Sequence, residues 1–178
     1  MKKDQTTTQR GYSPKRALRK IVMSLGQSAL IPSRLRARLL KYTGVNFVDP
    51  KSTFIGAGVY FDNIHPELIT IGRRCLITTG SRFLSHFLDT RHEGTPDWPF
   101  HFQSGRVAVG DYVFIGSGAV ISKPLTIGDW AVVGANAVVT KDVPEGAIVL
   151  GSPARVVGYR AGFSAPDEAP VTAEASVI

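Results

Sequence analysis

The stretch from Val109 to Pro144 decides the fold and reads VGDYVF IGSGAV ISKPLT IGDWAV VGANAV VTKDVP. An aliphatic residue opens each of these six hexads, and a small or aliphatic residue stands four places later in each. A period of six is three alternations of a strand, so both positions point to one face, whereas a helix of about 3.6 residues per turn does not repeat after six. The hexads predict a parallel β-solenoid in which each hexad is a short strand and a corner, with Gly supplying backbone freedom at the turn.

The same phase occurs upstream, in IGAGVY from Ile55, IGRRCL from Ile71 and ITTGSR from Ile77. It is interrupted between Phe83 and Val109, an interval that is not a whole number of hexads. We therefore expect the chain to leave the coil there as an extended loop over residues 87–106. Long excursions from a regular scaffold are where binding and catalytic residues are commonly placed.

The composition is that of one packed domain, since 43% of the 178 residues are hydrophobic and 20% are charged. The single cysteine, Cys75, excludes an intrachain disulfide and a cysteine cluster for zinc. Cys75 occupies the fifth place of the hexad IGRRCL, where a small core residue belongs. We expect it to pack in the core and not to form an acyl-enzyme.

The charge is divided unevenly along the chain. The net charge is +10 up to Gly44 and −3 after it, which sums to the +7 of the whole. We predict a basic helical N-terminal arm over 1–44, a β-helix domain over 45–160 and a flexible tail over 161–178. A nucleic-acid binder would carry its basic residues over the folded surface, so no nucleic-acid partner is expected.

The arm has two open interpretations. Its apolar residues have the spacing of short amphipathic helices that pack on the domain or on a partner subunit, and its basic residues also suit an anionic membrane surface. The stretch from Ile21 to Ile31 is too polar for a signal-peptide core and too short to span a bilayer. We expect a cytoplasmic protein, with the inner face of the membrane as the alternative position.

The hexads, together with TKDVPEGAIVLGSPARVVG from Thr140 to Gly158, closely resemble the hexapeptide-repeat acyltransferases, in particular sugar O-acetyltransferases of the maltose and nodulation-factor type. The resemblance covers roughly Val45 to Arg160. It implies a left-handed β-helix with three hexads per coil, a homotrimer, and acetyl-CoA bound between neighbouring subunits as the acyl donor, with no metal.

The resemblance implies that His86 is the catalytic residue, because the family's catalytic histidine stands ahead of the extended loop. Imidazole has a pKa near neutrality and can remove the proton of a sugar hydroxyl as it attacks a thioester. Asp89 lies three residues later and is the candidate for holding the ring through its other nitrogen, with capping of a turn as the equal alternative. His92 and His101 share the same loop.

Further positions follow from the family pattern. Ser117 matches the thioester end of the cofactor site, Ala135 the pantetheine slot, and three residues the nucleotide end: Thr140, Lys141 and Arg155. On the acceptor side, the candidates for substrate binding are Asp62, Asn63 and Trp98.

The resemblance implies an acetyl-CoA-dependent O-acetyltransferase acting on a sugar hydroxyl, which we expect to work in surface polysaccharide or glycolipid biosynthesis. The acceptor is a small molecule or a lipid-linked sugar. An amino sugar, an antibiotic or serine remains open as the acceptor, and so does a non-catalytic solenoid. A zinc carbonic anhydrase on this fold uses three histidines, two of them five residues apart, whereas His86 and His92 are six apart and His65 is remote.

Overall fold

The chain folds into a three-sided coil of short strands that follows two helices. The computed structural model describes residues 14–89 and 100–165. The helices are α1 (Pro14–Gln27) and α2 (Ser33–Lys41), and a 3-10 turn covers Pro66–Leu68. In the described residues, no helix has the length and hydropathy of a membrane-spanning segment.

Three parallel sheets form the sides of the coil, with strands numbered in chain order. The first sheet contains β1 (Asn46–Phe47), β4 (Ile69–Ile71), β9 (Val107–Val109) and β12 (Leu125–Ile127). The second contains β2 (Phe54–Ile55), β5 (Leu76–Ile77), β10 (Phe114–Ile115), β13 (Val132–Val133) and β15 (Ala147–Leu150). The third contains β3 (Tyr60–Phe61), β6 (Arg82–Phe83), β11 (Val120–Ile121) and β14 (Val138–Val139). Successive strands visit the three sheets in turn, which is the predicted parallel β-helix.

The strand register gives the length of a coil. Ile115, which opens the second hexad, pairs with Val133, which opens the fifth. Ile121 and Val139 open the third and the sixth hexads and pair in the same way. Each regular coil therefore consists of three hexads.

The core is a column of aliphatic side chains. Both repeated positions of the six hexads are buried: Val109, Val113, Ile115, Ala119, Ile121, Leu125, Ile127, Ala131, Val133, Ala137, Val139 and Val143. Full burial of a Val or Ile side chain contributes about 1.5–3 kcal/mol, so stacking of coils provides most of the driving force for folding.

The corners use Gly differently from the expectation. The Gly after the opening aliphatic residue is needed for close approach, since a Cβ on Gly128 would lie 2.6 Å from the backbone N of Glu145 in the next coil. The left-handed backbone falls two residues later, at Gly118 and at non-Gly residues such as Tyr112 (φ 59°) and Trp130 (φ 60°). The assignment of turn freedom to the hexad Gly is wrong at the corners of Tyr112 and Trp130 and right at Gly118.

The two helices cover the N-terminal end of the coil. In α2, Ala37 and Leu40 are buried in the core, and Leu40 packs against Gly26 of α1. The buried Arg36 donates a hydrogen bond at 2.9 Å to the carbonyl of Ile55, which ties α2 to β2. At the other end, β16 (Arg155–Tyr159) turns back and pairs antiparallel with β15, an element that the repeat did not predict.

Candidate functional site

The interruption of the hexads contains a hairpin. Strands β7 (His86–Leu88) and β8 (Phe102–Ser104) pair antiparallel, with His86 opposite Ser104. The N–H of Gly105 donates to the carbonyl of Ser85 at 2.8 Å, so the hairpin leaves and rejoins the coil at one corner. We name the corners that join the third sheet to the first sheet the His86 edge.

A buried carboxylate holds the His86 ring. Asp62 follows β3 one coil earlier and is completely buried, and its Oδ2 atom accepts a short hydrogen bond from Nδ1 of His86. The same oxygen accepts bonds from the N–H of Ser85 at 3.0 Å, from its hydroxyl at 2.9 Å and from the N–H of His86 at 3.2 Å. Asp62 Oδ1 accepts from the N–H of Ile64 at 2.9 Å. This network fixes the carboxylate beneath the imidazole.

The environment of Asp62 sets the state of the histidine. Burial raises the pKa of Asp62, but the hydrogen bonds from Ile64, His86 and Ser85 outweigh it and hold that pKa below its ordinary value. An ionised Asp62 accepts the proton on Nδ1 of His86, so the lone pair of the neutral imidazole is on Nε2. Among the described residues Nε2 has no hydrogen-bond partner, and the imidazole side chain is 26% exposed. His86 is therefore arranged as an accessible base.

The predicted role of Asp89 is corrected by this geometry. The carboxylate of Asp89 accepts a hydrogen bond from the side-chain amide of Gln103, and its N–H donates to the carbonyl of His101 at 2.7 Å. These contacts join the two strands of the hairpin. The carboxylate on the imidazole is that of Asp62, which we had expected to bind the acceptor.

The remaining acceptor-side candidates are Asn63 and Trp98. Asn63 is exposed beside Asp62, and its carbonyl accepts a hydrogen bond from Arg19 at 2.6 Å. Trp98 and His92 lie outside the described residues. The ring of Phe102 is centred 6.0 Å from that of His86.

Three cofactor candidates lie along a second edge. We name the corners that join the second sheet to the third sheet the Ser117 edge. Ser117 and Ala135 are both exposed there, and the carbonyl of Ser117 accepts from the N–H of Asn136 in the next coil at 2.9 Å. The edge ends at Gly151, whose carbonyl accepts a hydrogen bond from the N–H of Val138. The exposed Arg155 follows the turn at Gly151.

Thr140 and Lys141 lie on the His86 edge, directly after β14 and two coils beyond Leu84. The cofactor candidates are therefore divided between two edges. These edges are on opposite sides of the third sheet, so one chain does not bring His86 and Ser117 to the same corner.

Cys75 takes no part in either edge. It is buried, its Sγ lies 3.1 Å from the carbonyl oxygen of Gly110, and burial raises the pKa of the thiol to about 11. A thiol in this state is a poor nucleophile at neutral pH. The prediction that it packs in the core is confirmed.

Residues 106–141 match the family model described as bacterial transferase hexapeptide (six repeats). These residues carry the hexapeptide repeat of that model. The predicted resemblance is confirmed, and the coil is the left-handed parallel β-helix of these proteins.

Known hexapeptide-repeat proteins are similar to this chain over most of its length. The structure of a hexapeptide-repeat acetyltransferase from Vibrio cholerae superimposes with a TM-score of 0.59 and 27% identity, covering 84% of this chain and 94% of that chain. A galactoside acetyltransferase in complex with coenzyme A gives a TM-score of 0.60 and 26% identity, covering 82% and 80%.

A curated relative is similar over a shorter region. The predicted acetyltransferase YvoF of Bacillus subtilis (strain 168) is 35% identical over 108 residues, which cover 60% of this chain. The chain spans 57% of the length of that relative.

Proposed function

We propose that the chain is an acetyl-CoA-dependent O-acetyltransferase that acetylates a sugar hydroxyl, with His86 as the general base. The observation that carries this proposal is the imidazole of His86 held through Nδ1 by the buried carboxylate of Asp62 at the base of the hairpin. The similarity to acetyltransferases, one of them in complex with coenzyme A, supports the choice of donor.

The chemistry follows from that pair. The acceptor hydroxyl gives its proton to Nε2 of His86 while its oxygen attacks the thioester carbonyl carbon. The tetrahedral intermediate collapses, the C–S bond breaks, and the CoA thiolate leaves and takes the proton back from the imidazolium. Asp62 stabilises the imidazolium between the two proton transfers. General-base assistance of this kind contributes about 10²- to 10⁴-fold in rate.

The donor would lie along the Ser117 edge. Ser117 and Ala135 are small exposed residues, which suits a narrow pantetheine chain. The hydroxyl of Ser117 donates to Oγ1 of Thr78 at 3.1 Å, and it would have to rotate from that bond to donate to the developing oxyanion. Arg155, which follows the end of that edge, is assigned to the nucleotide end, where Lys and Arg suit phosphate groups. Thr140 and Lys141 are assigned to the same end and would come from the His86 edge of a neighbouring subunit.

A homotrimer would complete the site. His86 and Ser117 lie on different edges, so a neighbouring copy that places its Ser117 edge against this His86 edge would bring base and thioester together. The outer face of the second sheet supports such packing, because the outward side chains of Phe54 and Leu76 are 41% and 40% exposed and the next in line are Phe114 and Val132. An apolar face of this kind favours burial against another subunit.

The proposed setting is the cytoplasmic side of a membrane, in the synthesis of a surface polysaccharide or glycolipid. The basic arm supports it, because α1 exposes Leu18, Ile21 and Leu25 along one stripe between basic residues. Such a helix can lie on an anionic lipid surface.

The test is transfer of acetyl from acetyl-CoA to a panel of sugars, followed by release of the CoA thiol. His86→Ala is expected to lower kcat about 10²- to 10⁴-fold with little change in the KM for acetyl-CoA. The matched control is His65→Ala, because the ring of His65 contacts Glu67 on the surface and not Asp62. An unchanged rate in His86→Ala would contradict the proposal.

A further inference from the structure

A groove separates α1 from the first coil. We name it the α1 groove; its volume is about 190 Å³, and its walls include Arg19, Lys20, Met23 and Gln27 from the helix with Tyr60 and Asn63 from the coil. Two hydrogen bonds join α1 to the coil beside the groove. Gln27 accepts at its carbonyl from the N–H of Gly58 at 2.8 Å, and Arg19 donates to the carbonyl of Asn63 at 2.6 Å.

The α1 groove adjoins the proposed catalytic base. Asn63, in its wall, is the residue directly after Asp62, and Asp62 holds the ring of His86. Arg19 contacts Asn63, and His86 contacts Asp62. The Cα atoms of Asp62 and Asn63 are about 3.8 Å apart, as in any pair of adjacent residues. The wall of the groove therefore ends one residue from the carboxylate that contacts His86.

The charge of the groove is positive. Arg19 donates one hydrogen bond to a neutral carbonyl and forms no salt bridge within the described residues. Lys20, the next residue in the chain, is exposed. Among the described residues, Glu67 is within electrostatic reach of Arg19, and its carboxylate contacts Nδ1 of His65 at 3.1 Å. The remaining donors of the guanidinium are thus available to an anion.

We infer that the α1 groove binds the phosphoryl group of a phosphorylated sugar acceptor, which places a hydroxyl of that sugar at His86. This inference rests on the proposed function and specifies its acceptor. A guanidinium fork matches two phosphoryl oxygens, and a charge-assisted pair of this kind is stronger than a neutral hydrogen bond. The side chains of Met23 and Tyr60 provide the less polar wall against which a sugar ring can pack.

Paired acceptors test the inference. Transfer is measured to glucose 1-phosphate and glucose, and to N-acetylglucosamine 1-phosphate and N-acetylglucosamine. Arg19→Gln is expected to raise the KM for the phosphorylated sugar roughly 10- to 100-fold, while the KM values for the unphosphorylated sugar and for acetyl-CoA stay unchanged. The matched control is Arg38→Gln, an exposed arginine of α2 outside the groove, which should behave as the wild type.

Binding of the same sugars without acetyl-CoA, followed by calorimetry, makes the outcome independent of turnover. Tighter binding of the phosphorylated sugar that is lost in Arg19→Gln supports the inference, and equal binding of both members of each pair by the wild type overturns it. Absence of thiol release with every acceptor, with phosphate-dependent binding intact, would instead contradict the proposed function.

A second arm separates the two sources of a sugar phosphate. The phosphorylated sugar is presented on a polyprenyl chain in detergent micelles, and binding is compared with that of the water-soluble ester. Loss of binding to both in Arg19→Gln supports a phosphoryl subsite, and the tighter of the two identifies the source. If Arg19→Gln loses only binding to phosphatidylglycerol vesicles and keeps sugar phosphates, the groove is a lipid-headgroup contact and the inference is wrong.

Discussion

At the residue scale, the pairing of Asp62 with His86 depends on a coil that is longer than the regular one. Phe61 pairs with Phe83, a separation longer than three hexads, because the 3-10 turn at Pro66–Leu68 widens that corner. If every coil had three hexads, Asp62 would not be expected to lie next to His86. Asp89 was the candidate because it is three residues from His86 in the chain. His86 could be singled out from its position before the loop, whereas the carboxylate that contacts its ring could not.

Asp62→Asn should lower the rate of acetyl transfer about 10²- to 10⁴-fold, because a neutral amide no longer fixes the proton on Nδ1 or stabilises the imidazolium. Asp89→Asn should have a much smaller effect, since the carboxylate of Asp89 bonds Gln103 across the hairpin. The measurement is kcat for both variants beside the wild type. A larger loss of kcat in Asp89→Asn than in Asp62→Asn would indicate that Asp89 orients the ring of His86.

The same substitution has a signature in stability against pH. The folded-state pKa of Asp62 is lowered from 3.8, so its carboxylate stabilises the fold above that value, and the contribution is lost as the pH falls through the lowered pKa. The free energy of unfolding of Asp62→Asn should therefore be lower than that of the wild type at neutral pH. The difference should shrink in urea titrations below about pH 4. A difference that is constant across this range would show that ionised Asp62 does not contribute.

At the element scale, the strands were predictable and the corners were only partly so. The positions that point inward repeat every six residues with one chemical class, which a single sequence displays directly. The left-handed position is occupied by residues as different as Arg74, Tyr112, Trp130 and Asn136, so no residue type marks it. These residues are held there by bonds between coils, such as that from the N–H of Trp130 to the carbonyl of Asp111 at 2.8 Å.

Gly128→Ala should destabilise the fold by about 1–3 kcal/mol, because the added methyl group would overlap the backbone of Glu145, which cannot rotate away as a side chain can. Gly158→Ala is the matched control, since a Cβ there meets no atom within 4 Å. Urea unfolding of both variants measures the difference. Equal stability of the two would indicate that the coils separate enough at this corner to admit the methyl group.

At the scale of the whole molecule, the sequence predicted the solenoid, the helical arm and the place of the loop, but not the contacts that these segments make with the coil. The antiparallel returns at β7–β8 and at β15–β16 and the groove beside α1 depend on contacts between distant segments with no periodic signal. The same holds for the division of the site. Ser117 and His86 could each be named from the sequence, but their positions on two different edges required the strand register.

The proposed trimer can be tested on the outer face of the second sheet. Leu76→Arg places a charge among the outward apolar side chains of this sheet, so we expect light scattering to show a smaller species than the wild type. Circular dichroism should keep the strand signal. The rate of acetyl transfer should fall, because His86 would lose the Ser117 edge of the neighbouring subunit. The control is Thr126→Arg, at an exposed outward position of the first sheet. A wild-type chain that is monomeric and fully active would contradict the trimer.

The hairpin that carries His86 interrupts the coil without altering it. Arg82 and Val120 pair as neighbours although the whole interruption lies between them in the chain, and the next coil continues in the same register. Insertions or deletions beyond the base of the hairpin therefore need not be compensated elsewhere in the chain. Descendants of such a protein can diversify in the molecules they modify through changes of loop length and composition, while selection preserves the repeat that supports the loop.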